Sequence, residues 1–107
     1  MATLTALYPN TPDARYDVDY YINIHMPLVQ QHWKQYGLLS WSVSSFASDA
    51  TKPALYSFMS IIHFESTDSI HAALASPERA VVMGDVEKFA NTPPLILIAE
   101  TKASASV

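Results

Sequence analysis

The chain has 107 residues, half of them hydrophobic and 15% charged, which is one domain's worth of sequence with enough apolar side chains for a core and too few charges for disorder. Six Lys and Arg stand against ten Asp and Glu, a formal net charge of −4 that argues against a nucleic-acid partner and against anchoring on anionic lipid. Cysteine is absent, so disulfides, thiol nucleophiles and thiolate metal sites are excluded.

No apolar stretch approaches the roughly 18 residues of a membrane span, and no basic segment followed by an apolar run opens the sequence. A single domain over residues 1–107, cytoplasmic and without a membrane partner, is the expectation. Ala2 to Tyr8, rich in Thr, Leu and Tyr, reads as a strand, followed by a turn cluster from Pro9 to Asp13. Val18, Tyr21, Ile22, His25, Leu28, Val29, His32 and Tyr36 then recur at three- and four-residue steps, one face of a helix. Pro27 interrupts that face and predicts either a kink or two short helices, with Pro27 in the first turn of the second. Gly37 is the expected C-terminal cap.

Leu39 to Ala47 alternates, with Leu39, Trp41, Val43 and Ser45 on one face, and reads as a second strand. A polar loop over Ser48 to Pro53 leads to a third strand, Leu55 to Phe64, in which Leu55, Ser57, Met59, Ile61 and His63 oppose Tyr56, Phe58, Ser60, Ile62 and Phe64. Ser66 or Thr67 can cap the next helix, and Ser76 before Pro77 is a second cap signal for Val81, Val82, Val86 and Phe89. Leu95 to Ala99 is an apolar run short enough for a buried strand.

The order strand, helix, strand, strand, helix, strand predicts an α+β, ferredoxin-like βαββαβ fold. Helices cover one sheet face only, and the third strand carries large apolar side chains on both. A homodimer, with two sheets face to face, is expected to cover the second.

Tyr8-Pro9-Asn10, Arg15-Tyr16-Asp17 and Asp19-Tyr20-Tyr21 with His25-Met26-Pro27-Leu28-Val29 resemble the EthD family, named from ethyl tert-butyl ether degradation. Gly84-Asp85-Val86 with Phe89, Pro94 and Glu100 is similar to that family's C-terminal stretch. The resemblance covers nearly the whole chain and rests on the combination Tyr-Tyr-x-x-x-His-x-Pro-Leu. It implies a dimeric α+β barrel, in which two four-stranded sheets form the barrel and the helices lie outside. It implies no single reaction: that superfamily includes cofactor-free quinone-forming monooxygenases, polyketide cyclases, lactone isomerases and haem enzymes.

His25 is the main candidate for chemistry. Histidine titrates near neutral pH and can take or give a proton. The alternative is a buried structural histidine bonded to a carbonyl that Pro27 frees. Tyr21, one turn away on the same face, either orients a substrate oxygen or holds the imidazole tautomer, or is a core aromatic with a satisfied hydroxyl; Tyr20 is expected at a rim or interface. Trp41 is a candidate aromatic wall. His63 shares a strand face with Met59 and Ile61, and joins a pocket with His25 only if that face meets the helices; otherwise it lies at the dimer interface. Leu28, Met59, Val82 and Phe89 complete the expected apolar lining. Asp85 has two readings, a solvated charge or a partner for Arg79 or His25, and Asp17 and Asp19 suit a helix N-terminus.

No metal site is expected, because His25 and His32 are separated by about 10.5 Å of helical rise. Two glycines give no phosphate loop, and no cofactor is expected. These readings converge on a cofactor-free enzyme acting on a small, apolar, aromatic or polyketide-like molecule by His-assisted proton transfer, in a cyclisation, isomerisation or oxygenation. The alternative is a non-catalytic dimer that binds or shields such a molecule.

Overall fold

The computed structural model describes residues 1–49 and 51–107. Strand β1 (Ala2–Pro9) turns Ala2, Leu4, Ala6 and Tyr8 to the core. Asp17 accepts a hydrogen bond from the Tyr20 backbone N–H (3.0 Å) and caps helix α1 (Val18–Tyr20). A π-helical turn, Tyr21–His25, follows, then α2 (Met26–Trp33) and a 3₁₀ turn, Lys34–Tyr36.

The expected disturbance at Pro27 takes the form of that widened turn rather than a break. The Met26 N–H reaches the Tyr21 carbonyl, five residues back, and Pro27 falls in the first turn of α2, where its missing donor costs little. The extra residue rotates everything after it. The expected stripe through Leu28, His32 and Tyr36 is only half-buried, and Met26, Val29 and Trp33 take the core positions. Gly37 closes the segment with φ 103°, and a Cβ there would meet Ser69 Oγ at 2.8 Å, so both backbone and packing require glycine.

Strand β2 (Leu38–Ser45) opens with a bulge: Leu38 pairs with Phe64 and Ser40 with His63, leaving Leu39 as the extra residue. Leu39 is therefore exposed, off the face expected for it, while Trp41 and Val43 stand opposite Ile62 and Ser60 of β3 (Tyr56–Phe64). The loop expected over residues 48–53 includes Ala50, which lies outside the described residues.

Ser66 caps α3 (Thr67–Ala75) by accepting from the Ser69 N–H (3.1 Å). Ser76 does not cap α4 (Arg79–Gly84) as expected. Its hydroxyl donates back to the Ala73 carbonyl (2.6 Å) and so finishes α3, while Glu78 holds the cap position. A 3₁₀ turn, Val86–Lys88, precedes β4 (Leu95–Glu100).

The sheet order is β2-β3-β1-β4 with every pair antiparallel, the ferredoxin-like α+β arrangement. The core lies between one sheet face and the helices. Each large apolar side chain buried there, such as Phe58, Phe64 or Ile70, contributes about 1.5–3 kcal/mol by leaving water. β4 is an edge strand bonded only to β1, and all its residues are exposed, which corrects the expectation of a buried strand. The second sheet face carries Leu7, Met59 and Ile61, with Leu95 and Leu97 at 45% and 47% exposure. Among the described residues no helix is long and apolar enough to cross a membrane.

One set of contacts places the two ends of the helical layer. Asn91 accepts from the Arg15 N–H (2.7 Å) and donates to the Asp13 carbonyl (2.9 Å), and the Asp17 N–H reaches the Phe89 carbonyl (2.8 Å). The entry to α1 is thereby tied to the segment that carries Asp85.

Candidate functional site

His25 ends the π-helical turn and is 4% exposed. Its ring stacks on Tyr21, with centroids 5.2 Å apart, and leans on Phe89 at 4.6 Å. Its Nδ1 lies 3.0 Å from Asp85 Oδ2. The other oxygen of that carboxylate accepts from the Tyr20 hydroxyl (2.7 Å) and lies 3.6 Å from the Lys88 ammonium.

Burial pushes the His25 pKa down and outweighs the opposing pull of Asp85, so the imidazole is neutral at pH 7. For Asp85, burial raises the pKa, but the hydrogen bonds from Tyr20 and His25 outweigh it and hold the carboxyl below its ordinary value. A neutral imidazole beside a carboxylate donates from Nδ1. Its Nε2 is then an unprotonated base, and among the described residues the ring's hydrogen bond runs through Nδ1 alone.

A cavity of about 430 Å³ lies between α2, α4 and the helix-facing side of the sheet, and His25 lines it with Leu4, Tyr8, Tyr21, Ser60 and Val82. A cavity of about 150 Å³ holds benzene, so this one has room for two or three rings. Besides His25, the lining includes the hydroxyls of Tyr8, Tyr21 and Ser60, and Trp33, whose buried indole N–H has no hydrogen-bond partner among the described residues. Tyr21 donates to Ser60 Oγ (2.6 Å), and Tyr8 packs edge-on against Tyr21 with centroids 5.4 Å apart. Burial pushes Tyr8 well above the ordinary phenol range, reinforced by Tyr21, and burial likewise raises Tyr21 against the hydrogen bonds with Ser60 and Tyr8. Both phenols are neutral donors.

Of the residues singled out from the sequence, the structure brings His25, Tyr21 and Val82 to this cavity, with Phe89 packed behind the imidazole. Leu28 does not line it, because the widened turn gives its place to Met26 and Val29. His63 and Met59 lie on the opposite sheet face, since Phe58, Ser60, Ile62 and Phe64 take the side toward the helices. Within one chain they share no pocket with His25. Trp41 faces the helices but sits beside α2, where its indole N–H donates to Gln30 Oε1 (2.9 Å), at the edge of a separate hollow.

Sequence reasoning passed over Tyr8 and Ser60, although both are polar groups on an otherwise apolar strand face. The sequence offers His25 only as one of several partners for Asp85, because 60 residues separate the two. Among the described residues no group of three or more His, Asp or Glu side chains converges to hold a metal ion.

No protein-family model matches the chain, and no curated protein matches it. Solved structures do. An EthD-like protein from Ralstonia eutropha JMP134 superposes with a TM-score of 0.85 and 24% identity, covering 98% of this chain and 95% of that one. An ethyl tert-butyl ether degradation (EthD) family protein from Bacillus halodurans C-125 gives 0.72 and 23%, covering 94% and 98%. A putative antibiotic biosynthesis monooxygenase from Deinococcus radiodurans gives 0.58 and 16%, covering 100% and 98%. At these identities the likeness establishes a shared fold along nearly the whole chain.

The buried pair makes stability pH-dependent. His25 titrates below 6.5 when folded, so the unfolded chain takes up its proton first, and stability falls as the pH drops from 6.5 toward the folded value. Asp85 titrates below its ordinary 3.8, so its contribution is present above 3.8 and is lost as the pH falls through the folded value. Asp85→Asn should lower unfolding free energy at neutral pH by about 1.5–3 kcal/mol, the worth of a hydrogen bond to a charged group, and remove the lower step. Denaturant titrations of both proteins across this range check it. Equal stability of parent and variant at neutral pH would contradict the pairing.

Proposed function

We propose that this chain is an EthD-like enzyme that binds an apolar, aromatic or polyketide-like molecule in the cavity and moves a proton on it without a cofactor. The observation that carries this reading is the unpartnered Nε2 of a neutral His25, held in orientation by Asp85 at the wall of an apolar cavity. In the proposed step, Nε2 takes a proton from a carbon next to a carbonyl. The C–H electron pair passes into an enolate, whose oxygen accepts a hydrogen bond from the Ser60 hydroxyl at the end of the Tyr8–Tyr21–Ser60 chain, and the imidazolium beside Asp85 later returns the proton. Cyclisation, isomerisation and oxygenation all begin with such a step. The hydroxyl dipoles fixed on the apolar wall favour it, because they face the developing charge without having to reorganise. Likeness to EthD and monooxygenase structures supports small-molecule processing as the setting.

The test uses 2-tetralone, a two-ring ketone with acidic α-hydrogens, in deuterated water. The parent protein should accelerate deuterium uptake. His25→Asn should lose about 10²–10⁴-fold of that acceleration and about 1.5–3 kcal/mol of unfolding free energy, the same hydrogen bond that Asp85→Asn weakens, with the retained fold checked by circular dichroism. Undiminished exchange in the variant would leave His25 as a structural donor and favour a shielding role for the cavity.

We also propose that the working form is a homodimer joined through the open sheet face. Leu7, Met59, Ile61, Leu95 and Leu97 form a row of partly exposed apolar side chains that no element of the chain covers, the kind of surface that marks an interface. Native mass spectrometry should give twice the 11.8 kDa chain mass, and Leu97→Lys should shift the population to monomer. A monomeric parent at micromolar concentration would contradict this.

A further inference from the structure

Arg79 opens α4 and lines the cavity at its exposed side, with Met83, Pro93, Pro94 and Ile96. Among the described residues its guanidinium takes part in no ion pair and no side-chain hydrogen bond. The adjacent carboxylate is committed elsewhere: Glu78 accepts from the Tyr36 hydroxyl (2.8 Å) and from Gln35 (3.3 Å). No Asp or Glu lines the cavity, and His25 is neutral. Among the described residues the cavity's one formal charge is therefore the Arg79 cation, in a chain whose net charge is −4.

We infer that the ligand is an apolar oxyanion: a body of two or three rings, or an aliphatic equivalent, with a carboxylate or similar anionic oxygen group at the mouth on Arg79 and its reactive carbon against His25. Three features favour that polarity. The planar guanidinium presents paired donors that match a carboxylate. The apolar walls beside it reduce screening by water, so one unpaired cation attracts an anion more strongly than on an open surface. An anionic end held on Arg79 at the mouth also fixes which end of the molecule enters first, a selection that the apolar walls alone cannot make. This inference rests on the cavity being the binding site, as proposed above.

Two fluorescent probes with one shared body test it: 8-anilinonaphthalene-1-sulfonate, and the uncharged N-phenyl-1-naphthylamine. Arg79→Gln should weaken binding of the sulfonate about tenfold and change the neutral probe by less than twofold, and added salt should weaken only the sulfonate on the parent protein. If Arg79→Gln leaves the sulfonate within twofold, or weakens both probes alike, the arginine does not select an anion and the inference falls while the cavity reading stands. Val82→Trp, which fills the cavity, should abolish binding of both probes. Met83→Trp at the exposed rim repeats that test should the buried change unfold the protein. Probe binding that survives both blocks, or no binding to the parent, would overturn the cavity reading and this inference together.

Discussion

The contact between His25 Nδ1 and Asp85 Oδ2, 3.0 Å across the helical layer, links the π-helical turn to the segment after α4. Most of the site depends on it. The carboxylate determines which imidazole nitrogen carries the proton, and the phenol of Tyr20 shares the same carboxylate. Burial on its own would leave a neutral histidine of either tautomer. The carboxylate makes the nitrogen away from it the bare one. Backbone bonds around Asn91 and Asp17 hold the two segments at this distance, so the pair is built into the fold rather than formed by two surface loops meeting.

The widened turn accounts for what stands around the imidazole. An α-helix read straight through residues 18–36 would place Leu28, His32 and Tyr36 on the sheet. One extra residue in the turn ending at His25 shifts the phase, so Tyr21, His25 and Met26 all face inward before Val29 and Trp33 continue the stripe. Pro27, which supplies no N–H to the turn before it, sits where this irregularity costs least.

The strand order and the approximate position of each element were legible because alternation and helical spacing are local patterns. So were His25, Tyr21 and Val82, which lie on elements whose inward face is set by their neighbours. The choice of sheet face for His63 and Met59 was not legible: both faces of β3 are apolar, and the helices cover the side bearing Phe58 and Phe64. The phase shift after His25 was hidden because a single inserted residue leaves no mark on composition. The bulge at Leu39 was hidden for the same reason, although Trp41 and Val43 kept the shared face expected of them. Asp85 lies far along the chain from His25, and only tertiary packing distinguishes its role from that of an ordinary helix-end carboxylate.

The proposed proton transfer draws on an apolar cavity with one oriented base, two neutral phenols and, at its mouth, an arginine with no ion-pair partner among the described residues. All of this depends on the protonation of one ring. Nitrogen-15 NMR of histidine-labelled protein at neutral pH, with the His25 signals assigned by comparison with His25→Asn, reads it directly. A neutral ring with the proton on Nδ1 and Nε2 bare is the predicted result. A proton on Nε2, or an imidazolium, would contradict the account, because the cavity would then face a donor in place of a base.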